Sequence, residues 1–245
     1  MNEIQFINFP AVTNADEDGL LAIGGDLTVD TLVSAYSQGI FPWFNQGQPT
    51  LWWSPDPRLV LFPHEVKVSR SLAKRIRQQQ YQVTANQAFN DVIESCAYRG
   101  QNLKSVNESN TEIEDTWITD SMKGAYTALH KLGYAHSIEV WEQDNLVGGL
   151  YGLSLGDVFF GESMFSVATD SSKVALATLC AWLKTHGWRI IDCQVSSPHL
   201  LSLGAREIQR TDFLQYLSAI DIDKTSKSFA KDITQCSIDS VINKV

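Results

Sequence analysis

AHSIEVWEQDNLVGGLYGL spans residues 135–153. Apolar and polar residues alternate on either side of Gln143-Asp144-Asn145, the pattern of a hairpin of two strands joined by a tight turn. DVFFGESMF (157–165) continues as a third strand, broken near Gly161. Before the hairpin, Thr119 can cap a helix that runs to about Leu132 and stops at Gly133. After it, a long helix fits Ser171 to Thr185 with Gly187 at C′, and WRIIDCQV (188–195) reads as the next strand. Helix, hairpin, strand, long helix, strand is the element order of an acetyltransferase-like (GNAT-type) α+β domain on a mixed, mainly antiparallel sheet.

Around this centre the chain divides in two. LVLF (59–62) and YQVT (81–84) read as strands, Lys67 to Gln79 as a basic amphipathic helix, and Ala88 to Ala97 as a helix. The polar segment from Tyr98 to Asp115 reads as a mobile loop. A short helix is expected near His199 to Leu203, and Thr211-Asp-Phe should cap a last helix to about Ala219. The tail beyond Asp221 is polar and weakly patterned, and partial disorder is expected there. Residues 1 to about 60 read as a small turn-rich domain, with 61–245 as the acetyltransferase-like domain. In the small domain Thr28 caps a helix, VDTLVSAYSQ, that Gly39 ends, and the Gly-Gly-Asp of GLLAIGGDL has tight-turn chemistry. FPWFNQGQPTLWWSPDPR (41–58) holds three of the seven tryptophans and four of the seven prolines; it is expected to be neither helix interior nor central strand.

With 44% apolar and 19% charged residues over 245 positions, the chain has the composition of a globular protein with a real core. No basic segment followed by an apolar run opens it, and its longest apolar run, VALATLCAWL (174–183), is too short to span a bilayer. Cys96, Cys180, Cys193 and Cys236 lie far apart with no CxxC pair, which reads as the free thiols of a cytoplasmic protein. The five histidines lack ligand-like spacing, so neither a metal nor histidine catalysis is expected. A net charge of −9 argues against indiscriminate coating of nucleic acid. Against that background Arg70, Lys74 and Arg77, at i, i+4, i+7, form a basic helical face suited either to phosphates or simply to solvent.

Several residues carry more direct chemical signals. Coenzyme A acyltransferases hold the pyrophosphate on a glycine-rich turn ahead of the long helix, where backbone N–H groups approach it closely. No glycine lies between Gly161 and Gly187, so no coenzyme A site and no other cofactor is expected. Glu162 stands inside an otherwise apolar strand, and Asp192 and Gln194 would share one face of theirs; polar groups so placed need partners or a function.

LAIGGDL, GIFPWF, LWWSPDPR, TWIT, HSIEVW, LVGGLYG, FFGESMFS, SK, IDCQ and SLGA occur in this order. The series resembles the leucyl/phenylalanyl-tRNA–protein transferase family from about Gly19 to Phe213. The resemblance implies a bacterial cytoplasmic aminoacyltransferase that moves Leu or Phe from its tRNA to a protein's free N-terminal Arg or Lys, marking the protein for N-degron degradation. Its partners would be leucyl-tRNA, phenylalanyl-tRNA and acceptor proteins, with no membrane; a monomer is expected. The resemblance places the 3′-terminal adenosine on Trp43 and Trp117, which suits base stacking, while Trp52 and Trp53 read as core. It puts Phe159, Glu162 and Met164 at the substrate, with Leu150, Leu179 and Leu183 completing the side-chain pocket, and carries Tyr126 over as a site residue. Asp192 and Gln194 become the catalytic pair, with Gln194 accepting from the attacking amine and Asp192 orienting its amide. Asp192 or Glu162 could instead select the acceptor's cation. Arg70, Lys74 and Arg77 become tRNA phosphate contacts. Two rivals remain: an acyltransferase with another donor, and a non-catalytic module that binds the tRNA 3′ end. The 98–115 loop is longer than the family pattern, and the tail matches no family block.

Overall fold

Hydroxyl caps and glycines set the ends of several elements. The Thr28, Ser69 and Thr119 side chains each accept from the backbone N–H three residues on, starting three of the helices. Gly39 and Gly133 adopt positive φ just past two helix ends, where a side chain would be strained. The computed structural model of the chain describes residues 4–102, 117–218, 220–222, 229–235 and 239–242. In chain order the elements are β1 (Leu20–Ile23), α1 (Val29–Ser37), β2 (Phe41–Pro42), β3 (Leu51–Trp53), β4 (Arg58–Leu61), α2 (Arg70–Arg77), β5 (Gln82–Ala85), α3 (Phe89–Asn102) and α4 (Asp120–Leu132). There follow β6 (Ala135–Glu142), β7 (Asn145–Leu155), β8 (Val158–Ser166), α5 (Ser171–Thr185), β9 (Ile190–Gln194), α6 (Pro198–Ser202), β10 (Arg206–Ile208), α7 (Arg210–Leu217) and α8 (Asp239–Ile242).

The main sheet has seven strands in the order β10-β4-β9-β8-β7-β6-β5, and the small one three, β1-β3-β2. Within the main sheet β8 and β9 run parallel and the remaining neighbours antiparallel. The expected α+β class and mixed, mainly antiparallel sheet are therefore observed, with the order α4-β6-β7-β8-α5-β9 at its centre. Both faces of this sheet are covered. Leu32 and Tyr36 of α1, Val92 of α3, Met122 of α4 and Phe213 of α7 pack with Tyr151, Phe160 and Ile190. On the other face, Leu72 of α2 and Leu176, Leu179 and Leu183 of α5 pack with Ile138, Phe159 and Ile191.

Several expectations need correction. Residues 51–53, placed in a stretch read as neither helix interior nor central strand, form the middle strand of the small sheet; Pro42 sits on its edge strand, where a missing N–H costs little. Helix α2 starts at Arg70, because Ser69 caps it, and α3 runs past Ala97 to Asn102. The rest of the 98–115 loop lies outside the described residues. Strand β10 was not anticipated, and α7 begins after Gln209, with no side-chain cap from Thr211.

The tail is not a bystander where it is described. Phe229, Ala230, Ile233 and Val241 are buried in the α5 cluster. The Phe229 ring lies 4.3–5.5 Å from those of His136, Phe159, Trp182 and Trp188. Burial pushes the His136 imidazole down to about 3, so the ring that Phe229 stacks on is neutral. Truncating Phe229 to Ala should cost about 3–5 kcal/mol of stability, as for other buried aromatics. Urea unfolding followed by tryptophan fluorescence checks this; an unchanged midpoint would mean the tail adds nothing to the core.

Candidate active site

Strands β8 and β9 pair only from Val158–Phe160 against Ile190–Asp192 and then part. Beyond that point β8 stays with β7 to Ser166, while β9 stays with β4. A cavity of about 290 Å³ opens in the gap. Leu150, Phe159, Met164, Leu176, Leu179 and Ile191 supply apolar walls, Trp43 and Trp117 stand among the lining residues, and Glu162 and Gln194 bring polar groups. Val195 and Ser197 line it on the stretch leading into α6, and His199 lines it from α6 itself.

Two β-bulges aim the polar pair. Tyr151 faces Ser163 and Gly152 faces Gly161, so Glu162 is an extra residue in β8. Leu59 faces Gln194 and Val60 faces Asp192, so Cys193 is an extra residue in β9. Each bulge breaks the two-residue alternation and redirects the side chains after it. In an even strand Asp192 and Gln194 would share a face. Here Gln194 has φ +65 and reaches the cavity, whereas Asp192 is fully buried and absent from its lining. Gly152 permits the first bulge: a Cβ there would sit 2.1 Å from the Phe160 carbonyl oxygen.

Glu162 is the hub. Its Oε1 accepts from the Tyr36 hydroxyl at 2.7 Å and from Gln194 Nε2 at 2.8 Å; its Oε2 accepts from the Tyr126 hydroxyl at 2.8 Å. Burial pushes the Glu162 carboxyl up to about 7, against the pull of those three donors, none of which carries charge. Burial likewise raises the Tyr36 and Tyr126 phenols well above their ordinary value, keeping them neutral donors. The Tyr151 hydroxyl, also buried beside the cavity, has no hydrogen-bond partner among the described residues.

Trp43 is 41% exposed yet firmly held: its N–H donates to the Leu51 carbonyl and its own carbonyl accepts from Trp53 Nε1 at 2.7 Å. Trp52 is buried, with Nε1 donating to the Gly24 carbonyl, and Trp53 packs against the core.

Of the sequence-derived candidates, the cavity brings together Trp43, Trp117, Leu150, Phe159, Glu162, Met164, Leu179 and Gln194. Tyr126 lies one step behind, through Glu162. Leu183 is buried in the α5 cluster and does not line the cavity, because it lies a turn further along the helix than Leu179. Asp192 does not touch the Gln194 amide: its Oδ1 accepts from the Gln194 backbone N–H at 3.0 Å, and Glu162 takes the side chain. Arg70, Lys74 and Arg77 are exposed on α2, away from the cavity lining. Sequence reasoning missed Tyr36, which carries no local signal, and Arg58, whose signal was a charge opening an apolar strand.

An apolar cavity beside an exposed and a half-buried tryptophan and a carboxyl–amide pair has the parts of a group-transfer site for an apolar acyl group. Comparison with known proteins narrows this class. The family model described as leucyl/phenylalanyl-tRNA protein transferase matches residues 60–218, and its N-terminal domain model matches residues 25–56. A relative named leucyl/phenylalanyl-tRNA–protein transferase from Pseudomonas syringae pv. syringae (strain B728a) is 54% identical over 86% of this chain and 89% of its own length. One of the same name from Chromohalobacter salexigens is 57% identical over 86% of this chain and 79% of its own. The chain belongs to the leucyl/phenylalanyl-tRNA protein transferase family. The solved structure of L-PGS from Bacillus licheniformis covers 85% of this chain and 70% of its own at 10% identity, with a TM-score of 0.39, too slight a likeness to add to this.

Glu162 also marks the pH dependence of stability. Its folded value of about 7 lies above the ordinary 4.5, so between these the folded chain keeps a proton that the unfolded chain has lost. This group therefore lowers stability as pH rises through that window. Relative to Glu162→Gln, the wild type should lose roughly 2–3 kcal/mol between pH 4.5 and 7.5. Urea melts at the two pH values measure it, and parallel pH profiles would contradict it.

Proposed function

We propose that this chain transfers a leucyl or phenylalanyl group from the 3′ end of aminoacyl-tRNA to the free N-terminal amine of a protein that begins with Arg or Lys. The observation that carries this reading is the juxtaposition in one cavity of Trp43 and Trp117, the apolar wall of Leu150, Phe159, Met164 and Leu179, and the Glu162–Gln194 pair. The terminal adenine stacks on Trp43 and Trp117, and the Leu or Phe side chain fills the apolar wall. Met164, adaptable in shape, suits both an aliphatic and an aromatic guest.

Aminolysis of the tRNA ester needs a neutral amine held close to the carbonyl, then stabilisation of the tetrahedral oxyanion. With Nε2 committed to Glu162, the Gln194 amide turns its oxygen towards an incoming amine. Glu162, raised by burial to about 7, is suited to hold or release a proton near neutral pH. Asp192 enters this reading as a support for the Gln194 backbone. Arg70, Lys74 and Arg77 meet tRNA phosphates without reading sequence. On the same reading residues 1–60 and 61–245 are two units that meet at the cavity, and the chain acts as a cytoplasmic monomer.

Transfer of radiolabelled leucine from leucyl-tRNA to a peptide starting with Arg, against its N-acetylated form, tests the reaction. Label should enter only the free-amine peptide. Gln194→Ala should lower kcat, and Trp43→Ala should weaken leucyl-tRNA binding by about 1–3 kcal/mol. Label entering neither peptide, despite tRNA binding, would sink the transferase reading. Replacing Arg70, Lys74 and Arg77 together by Gln should reduce the slope of log affinity against log salt by about 2. An unchanged slope would remove these residues from the tRNA interface.

A further inference from the structure

Arg58 is a fully buried arginine at the first position of β4, and no residue of the cavity wall. Its Nε and Nη2 donate to the two oxygens of Asp192 at 2.8 and 2.7 Å, a two-pronged pairing with both side chains inaccessible to water. Nη1 donates to the Gly39 carbonyl at 3.2 Å. The guanidinium carbon lies 4.8 Å from the Phe41 ring centre and 4.9 Å from that of Phe213. A planar five-donor fork fits such a slot; an ammonium does not.

Both ends of this grip lead to one atom. Through Asp192 Oδ1, Arg58 holds the backbone N–H of Gln194, and the Gln194 side chain donates to Glu162 Oε1. Through Gly39 it holds the end of α1, whose Tyr36 hydroxyl donates to the same Oε1. Gln194 also has a left-handed backbone, which is unfavourable for a residue with a Cβ and persists only where its surroundings impose it. The Asp192–Gln194 hydrogen bond, fixed in turn by Arg58, supplies that imposition.

We propose that Arg58 is a positioning residue for the transfer reaction: by holding Asp192, it sets the backbone of Gln194 so that the amide meets Glu162 at the cavity. The proposal rests on the transfer reading above. It assigns Asp192 a geometric task instead of a chemical one, since neither of its oxygens is turned to the cavity.

The test is a cycle of Arg58→Lys, Gln194→Ala and the double variant, assayed below the melting temperature of each. Arg58→Lys keeps the charge but loses the fork. It should lower kcat about 100-fold, the scale of a small misplacement, with KM for leucyl-tRNA little changed. In the Gln194→Ala background the same substitution should add almost nothing. Losses that multiply in full, or that fall on KM alone, would overturn the proposal. If Arg58→Lys does not fold, Asp192→Asn, which keeps an acceptor for the Gln194 N–H but breaks the fork, carries the same cycle. A readout free of substrate separates this from the transfer reading: the NMR signal of the Gln194 side-chain amide should move in Arg58→Lys. An unmoved signal overturns the positioning role even in an active enzyme. Wild-type inactivity towards leucyl-tRNA with a moved signal would instead count against the transfer reading alone.

Discussion

Arg58 and Asp192 bury opposite charges completely, and the two arms of the site hang from that pair. Stability alone is a poor reason for such an arrangement. Desolvating two ions offsets most of their attraction, and an apolar pair of similar volume often does as well; removing one partner is what costs about 3–5 kcal/mol. Here the pair ties four pieces of chain: Gly39 with Phe41 of the small sheet, β4, β9, and Phe213 of α7. Of these contacts, Phe41 itself lines the cavity, and Asp192 holds the backbone of Gln194, which also lines it. The geometry of the site thus depends on an interaction that never touches it.

The two neighbouring carboxyls are treated in opposite ways. Asp192 has a guanidinium on both oxygens. Glu162 has three neutral donors and is raised to about 7 by burial. Different surroundings divide the labour between two acids in one site. One is a fixed anchor, and the other sits near the pH at which it can hold or release a proton. The parting of β8 from β9 gives Glu162 a cavity to face, and the bulge at Glu162 turns it that way.

The central fold was legible because its signals are local. The alternation in 135–153, the Thr119 cap, Gly133 and the apolar run of α5 each act over a turn or a strand pair. The small sheet was hidden because its strands are only two to four residues long and β2 and β3 lie among prolines. Where the tail is described, its buried residues Phe229, Ile233 and Val241 are too widely spaced in sequence to form a pattern, and only docking against α5 makes them core.

At the site, the residue types were legible and their directions were not. Glu162 and Gln194 stood out as polar groups in apolar strands, but alternation paired Gln194 with Asp192 rather than with Glu162. One bulge arises from register between β4 and β9, far apart in the chain, and the other from register between the consecutive strands β7 and β8, where the residue pattern carries no mark of it. Tyr36 and Arg58 come from the first sixty residues and reach Glu162 and Asp192 more than a hundred positions on. No local pattern encodes such a contact.

The most direct test of the account is the structure of the protein with a hydrolysis-resistant adenosine that carries leucine in amide linkage at its 3′ position. Adenine should lie against Trp43 and Trp117, the leucine side chain among Leu150, Phe159 and Leu179, and the linkage beside Gln194. The same ligand bound on the basic face of α2, or in the cavity with its amide turned away from Glu162 and Gln194, would contradict it.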